Sequence, residues 1–195
     1  MRKLFISILF SVFFITLSGQ KQNCENKEHP YPVLSDSLKK VYERNLRSAE
    51  SKYRNDSLND EYRIWYGRRT AYLGNYKQAI DLYSKGIALH ADNARFYRHR
   101  GHRYITLRCF ENAIADLKKA VDLIKDQIDE IEEDGIPNAK NFPTSSLHTN
   151  IYYHLGLAYY LMGITARRCW PMKNAWIFRR VMICVSPHLT GSILL

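Results

Sequence analysis

The sequence predicts an all-α protein built from stacked helix-turn-helix pairs, followed by an irregular C-terminal tail. Three observations predict this class. A pattern of small and apolar residues occurs twice, at a separation of 34 residues. Apolar residues within each copy recur every three or four positions. Glycine lies where two helices would cross or end. With 46% hydrophobic and 25% charged residues, the chain has the composition of one modest folded domain.

The first 19 residues are typical of a secretory signal peptide. Arg2 and Lys3 precede an apolar run that ends at Leu17, and the small residues Ser18 and Gly19 follow it. The run is shorter than the roughly 20 apolar residues of a permanent membrane anchor. We therefore expect cleavage and export to the periplasm or the exterior. A chain anchored in the membrane by an uncleaved signal or by lipid is the alternative.

A linker and a leading helix are predicted next. Residues 20–34 are polar and contain Pro30 and Pro32, which favours an exposed linker. Ser35 is placed to cap a helix over residues 35–57. The apolar residues of this helix recur at spacings of three and four, and they are Leu38, Val41, Tyr42, Leu46, Ala49 and Tyr53.

The two copies of the pattern occupy residues 60–93 and 94–134, and each predicts a first helix, a tight turn and a second helix. Gly67 allows two helices to approach closely, and Gly74 suits the left-handed residue that ends a helix. The matched residues of the first copy are Gly67, Gly74, Asn75, Tyr76, Ala79, Ile80, Tyr83 and Leu89. Those of the second copy are Gly101, Arg108, Cys109, Phe110, Ala113, Ile114, Leu117 and Leu123.

The second helix of the second copy is expected to be longer than its counterpart. Its apolar spacing continues to Ile131, and Gly135 and Pro137 then end it. The acidic residues between Asp126 and Asp134 are interpreted as the solvated face of this extended helix.

The period and its residue types resemble those of the tetratricopeptide repeat family, in the exported bacterial type. The match rests on the small residue at the helix crossing, the aromatic residue that opens the second helix (Tyr76, Phe110) and the alanine one turn later (Ala79, Ala113). The resemblance implies a short right-handed solenoid. It also implies a non-catalytic scaffold that binds a peptide or a partner segment in a concave groove.

The third copy is incomplete. After a loop over residues 135–146, the period resumes over residues 147–163, which predicts the first helix of a third pair. Pro171 then lies where a helix interior is required, at a cost of ~3 kcal/mol. If the codons that follow Gly163 are read one base earlier, permitted codon choices encode the sequence of a well-formed second helix. We therefore expect residues 164–195 to be an irregular tail that arises from truncation or a frameshift.

The resemblance implies that the first helix of each pair lines the groove. The candidate peptide-binding residues at these positions are Arg68, Tyr72, Arg95, Arg98, His102 and Tyr153. Guanidinium groups bind carboxylates bidentately, so we expect a protein or peptide partner with an acidic segment. The alternative is that the arginines are ordinary surface residues paired with acids such as Asp60 or Glu61.

Other function classes find little support in the sequence. No nucleophile elbow, phosphate-binding glycine loop or zinc-protease motif is present, so neither an enzyme nor a cofactor is expected. His99 and His102 are three residues apart, but without a third ligand they make a weak metal site. The net charge of +10 does not indicate nucleic-acid binding, because six basic residues and no acidic residue follow Asp134. An envelope assembly component held at the membrane, or a non-functional truncated fragment, are the alternative functions.

Overall fold

The computed structural model describes residues 31–135, 143 and 145–163. Six helices account for most of them: α1 Asp36–Asn55, α2 Asp60–Tyr72, α3 Tyr76–Leu89, α4 Ala94–Thr106, α5 Phe110–Leu123 and α6 Leu147–Leu161. Two short strands, β1 Ile131–Glu132 and β2 Ser145–Ser146, pair in the antiparallel sense. The predicted all-α class is therefore confirmed as a mostly helical fold, and the strand pair is an addition to it. The predicted signal peptide, most of the predicted linker and the predicted tail lie outside the described residues.

The predicted leading helix is confirmed as α1. The side chain of Ser35 accepts a hydrogen bond from the backbone N–H of Leu38 at 3.3 Å, which satisfies one of the free donors at the helix start. Tyr42 and Ala49 are its buried residues, and α1 packs against α2. None of the helices in the described part of the chain combines the length and the apolar character that crossing a bilayer requires.

The turns of the two helix pairs have the same geometry. Gly74 has a φ of 86° after α2, as the pattern predicts, and Arg108 has a φ of 60° at the equivalent place after α4. In both turns the residue that follows donates its backbone N–H five positions back, from Asn75 to Thr70 at 3.3 Å and from Cys109 to Tyr104 at 2.8 Å. The second turn therefore closes in the same way although it has no glycine.

Gly67 lies where α2 crosses α3, and a larger side chain would not fit there. A methyl group built on Gly67 would lie 2.5 Å from Cε1 and 2.7 Å from Cζ of Tyr83, which is 1% exposed. Gly101 has the same relation to Leu117 between α4 and α5, at 2.8 Å from Cγ. The glycines therefore permit the close approach that the pattern predicts.

Gly67→Ala is expected to lower the free energy of unfolding by about 1–2 kcal/mol, because overpacking the crossing outweighs the better helix propensity of alanine. Urea unfolding at neutral pH measures the change. Lys77→Ala, at an exposed position of α3, is the control and should change stability by less than about 0.5 kcal/mol. A Gly67→Ala protein as stable as the unchanged chain would contradict a tight crossing.

The predicted extension of the second helix to Ile131 is wrong, because α5 ends at Leu123. Ile128 and Ile131 continued the apolar spacing, yet they are 91% and 70% exposed. A longer helix would place six acidic side chains at its C-terminal end, where the helix dipole is negative. Asp129 is instead used at the start of α6, where its carboxylate accepts a hydrogen bond from the backbone N–H of His148 at 3.0 Å.

The predicted loop over residues 135–146 ends in β2, which leads directly into α6. Ser146 caps α6 by accepting a hydrogen bond from the backbone N–H of Thr149. The predicted first helix of a third pair is thus present, and it packs against α4 and α5. Two groups of buried residues form the core. The larger group joins Ile80 of α3 to residues of α4, α5 and α6, and the smaller group consists of Ile64, Ala71, Ala79, Tyr83 and Phe96.

Candidate functional site

The first helices of the pairs, α2 and α4, together with α6 and with Tyr83 of α3, line a cavity of about 220 Å³. We call it the arginine pocket, and its helical lining residues are Arg68, Tyr72, Tyr83, Arg98, His99, His102, Arg103 and Asn150. Residues 131–135, which we call the inserted segment, run from β1 across the same pocket. Glu132, Glu133, Asp134 and Gly135 of this segment line the pocket from the other side. The inserted segment therefore lies against the basic residues that the sequence assigned to a partner.

The carboxylate of Glu132 is the centre of the contacts between the segment and the helices. It is 5% exposed and lies 3.0 Å from Nη2 of Arg98 and 3.1 Å from Nε2 of His99. Asn150 of α6 also donates its side-chain N–H to this carboxylate. Charge-assisted hydrogen bonds of this kind are roughly twice as strong as neutral ones. The carboxylate is thus held from two helices at once.

His99 is oriented by Arg98. The guanidinium donates from Nη1 to Nδ1 of the imidazole at 2.8 Å, since arginine has no acceptor. The imidazole proton therefore lies on Nε2, which is the nitrogen that faces Glu132. The ring is also stacked on Tyr83, with centroids 5.6 Å apart.

The charge states of this cluster follow from its burial. Burial lowers the pKa of Arg98 to about 10, partly offset by Glu132, so the guanidinium stays charged at neutral pH. Burial and the adjacent Arg98 hold the pKa of His99 well below its usual value, so the ring is neutral. Burial raises the pKa of Glu132, but His99, Arg98 and Asn150 outweigh this effect and hold the pKa below its usual range. The result is a buried ion pair with a neutral histidine beside it, whose Nε2 lies 3.1 Å from the carboxylate.

The main chain of the inserted segment is bound by α2. Arg68 donates from Nη2 to the carbonyl oxygen of Glu133 at 2.7 Å, and Arg69 donates to the carbonyl oxygen of Gly135 at 2.7 Å. The guanidinium of Arg68 also lies over the ring of Trp65, 4.1 Å from its centroid. These contacts involve backbone carbonyls, so they are available to any sequence in the same extended conformation.

Tyr72 restricts which residue can occupy position 135. A methyl group built on Gly135 would overlap the Tyr72 hydroxyl and would lie 2.9 Å from Nη2 of Arg68. Gly135 is buried at this point. The pocket therefore accepts a residue without a side chain where the segment passes Tyr72.

His102 and Arg103 also line the pocket, and His154 lies beside His102. The rings of His102 and His154 lie with centroids 4.1 Å apart, and His154 Nδ1 is 2.6 Å from the carbonyl oxygen of Asn150. Burial lowers the pKa of His154 to about 3, and it lowers the pKa of Arg103 as well. Within the residues that the structure describes, no three histidine, cysteine or acidic side chains are arranged to hold a metal ion.

Four of the six predicted peptide-binding residues line the arginine pocket, namely Arg68, Tyr72, Arg98 and His102. Arg95 lies elsewhere on α4, where it forms an ion pair with Glu61 of α2. This is the ordinary surface pairing that the sequence left open. Tyr153 is 37% exposed and contacts the pocket through the edge of His154, with centroids 5.2 Å apart.

Sequence reasoning missed the participation of Glu132 and His99. Glu132 was interpreted as part of a solvated helix face, and in the structure it is the buried ligand of Arg98. One feature of the sequence could have identified Glu132. The run of acids lies at the C-terminal end of a predicted helix, where the helix dipole disfavours negative charge.

A scan against models of known protein families found no match, and neither did a search of curated proteins.

Proposed function

We propose that this chain is an exported tetratricopeptide-type scaffold that binds an acidic, extended segment of a partner protein in the arginine pocket, without catalysis. The helix pairs form a short right-handed solenoid in this proposal, and the first helices of the pairs form its concave face. The support is the arrangement of side chains described above. Arg68 and Arg98, on successive first helices, converge on one extended stretch of acidic chain.

The observation that carries the proposal is that the two arginines bind different groups of the inserted segment. Arg98 binds a carboxylate, whereas Arg68 binds a backbone carbonyl one residue further along the same segment. Recognition of alternate side chains with main-chain hydrogen bonds between them is how extended peptides are bound in general. A partner needs an extended backbone and a correctly placed acid to make the same contacts.

Binding of acidic peptides is expected to depend on the pocket arginines. The probes are two sets of 12-residue peptides labelled with a fluorophore, one set with two or three glutamates and the other with glutamine at the same positions. We expect the acidic set to bind the full chain and the matched set to bind at least tenfold more weakly. The affinity should fall as salt is added, because the contacts include ion pairs.

Arg95→Gln is the matched control for Arg98→Gln, because both residues lie on α4 and only Arg98 lines the pocket. Arg98→Gln should reduce acidic-peptide binding at least tenfold, and Arg95→Gln should change it less than twofold. Equal losses in the two variants would contradict the pocket as the binding site. An absence of binding by every peptide would contradict the scaffold function.

A further inference from the structure

The contacts of the inserted segment are those of a bound ligand. They comprise a carboxylate at position 132, a backbone carbonyl at 133, a second carbonyl at 135, and a residue without a side chain at 135. These features together define a Glu-x-x-Gly stretch that begins in β1 and ends in a bend at Gly135. Glu133, between them, has an exposed side chain and is recognised only through its main chain.

The segment is held by polar contacts rather than by apolar burial. Ile131, its only large apolar residue, is 70% exposed, and the neighbouring Ile128 is 91% exposed. The buried parts are the Glu132 carboxylate and Gly135. A partner that carries the same charged and polar groups can make the same contacts with the pocket. A competitor of matching chemistry can therefore replace the segment without loss of core packing.

The N-terminal end of the segment is tied to the fold. On its N-terminal side, the backbone N–H of Leu147 donates to the carbonyl oxygen of Glu130 at 2.8 Å, and Asp129 accepts from Ser146 Oγ at 2.6 Å. Because of this tether, the segment is present at the pocket at a high effective concentration. An external ligand must compete with it, so its apparent affinity is reduced by the fraction of chains in which the pocket is open.

We propose that residues 131–135 are an internal ligand that closes the arginine pocket, and that the partner supplies an extended Glu-x-x-Gly segment that displaces it. The proposal rests on the peptide-binding function above and adds the chemistry of the ligand and the control of access to it. A substitution that weakens the binding of residues 131–135, and that leaves the helical residues of the pocket unchanged, opens the pocket to an external peptide.

Two variants open the pocket without changing any helical residue of it. Gly135→Leu introduces a side chain that overlaps Tyr72, and Glu132→Gln removes the charge that Arg98 binds. Glu133→Gln is the matched control, because this neighbouring acid contacts Arg68 through its backbone carbonyl alone. Far-UV circular dichroism reports whether each full-length variant keeps its helices. If one opening variant loses them, the other provides the measurement.

The probe is a labelled, end-capped peptide with the sequence of residues 129–135, titrated by fluorescence anisotropy into the full chain and each variant. We expect Gly135→Leu and Glu132→Gln to bind it at least tenfold more tightly than the unchanged protein, and Glu133→Gln to bind like the unchanged protein. On the Gly135→Leu protein, replacing the glutamate at position 132 of the peptide by glutamine should weaken binding at least tenfold. Leucine at position 135 of the peptide should do the same.

The outcomes separate this inference from the proposed function. Equal affinities in the unchanged and opened proteins would overturn closure, while the observed binding would still support the peptide scaffold. If the opened proteins bind other acidic 12-residue peptides and not this one, the Glu-x-x-Gly ligand is wrong and the scaffold stands. If no peptide binds any variant, both proposals fail.

Discussion

Phe96→Ala is expected to lower the free energy of unfolding by about 3–5 kcal/mol, the usual cost of truncating a fully buried aromatic side chain. Phe96 is 0% exposed and lies in the first turn of α4. It packs with Ile64 and Ala71 of α2 and with Ala79 and Tyr83 of α3. This small group of residues is part of the contact between the first helix pair and the second, to which Ile80 of α3 also contributes.

The position explains why the effect is large. Gly86 of α3 faces the Phe96 ring so closely that a methyl group there would overlap it. The neighbouring backbone cannot collapse further into the space left by the ring, so a cavity remains. In an array of helix pairs, stability is the sum of the units and the interfaces between neighbours. Truncation of Phe96 therefore weakens the interface term between the two helix pairs.

Urea unfolding followed by circular dichroism measures the effect. Tyr160→Ala is the control, because Tyr160 is an aromatic residue of similar size that is 45% exposed on α6. It should change the free energy of unfolding by less than about 1 kcal/mol. A Phe96→Ala protein that loses no more than this control would show that the interface between the helix pairs contributes little.

The helix pairs were predictable from the sequence because their signals are local. Ser35 before α1 and the glycines Gly67 and Gly101 at the helix crossings each act within one or two turns of helix. Capping and periodicity describe such short-range interactions well. The bounds of five helices follow closely from them.

The end of α5 and the closure of the pocket were not predictable in the same way, because they depend on distant contacts. Ile128 and Ile131 keep the helical spacing, but Asp129 is bound by the start of α6 and Glu132 by Arg98 of α4. Two tertiary interactions therefore override the local preference for helix.

The same distinction applies to the candidate site. Arg68 and Arg98 were identified because they occupy the groove positions that the family resemblance implies. The resemblance could not separate Arg98 from Arg95, which lies three residues earlier on the same helix. The two arginines have different partners because Glu61 lies opposite Arg95 and the inserted segment lies opposite Arg98.

Acid is expected to destabilise the fold well before most carboxylates are protonated. Burial and nearby Arg98 lower the pKa of His154 to about 3. Burial and Arg103 hold the pKa of His102 well below its usual value, and His99 is lowered in the same direction. From about pH 6.5 downward, the unfolded chain binds protons at these rings and the folded chain does not. The stability that neutral histidines contribute is therefore complete above pH 6.5 and is lost as the pH falls towards 3.

Once such a histidine is protonated only in the unfolded state, it lowers the free energy of unfolding by about 1.4 kcal/mol for each unit by which the pH falls. The pKa of Glu132 is lowered, so the stability it contributes is lost only below its ordinary pKa near 4.5. The window from pH 6.5 to 5 therefore isolates the histidines. Urea unfolding at half-unit intervals from pH 7.5 to 5 should show a free energy of unfolding that falls steadily below pH 6.5.

His154→Gln identifies the histidine contribution within this window. It should reduce the slope by about 1.4 kcal/mol per pH unit, since one titrating group is removed. His90→Gln is the control, because the side chain of His90 is 44% exposed at the end of α3 and is separate from the pocket. A stability that stays constant from pH 7.5 to 5 would contradict the neutral, buried state of these rings. An equal change of slope in both variants would place the effect outside the arginine pocket, because only His154 of the two is packed against a pocket histidine.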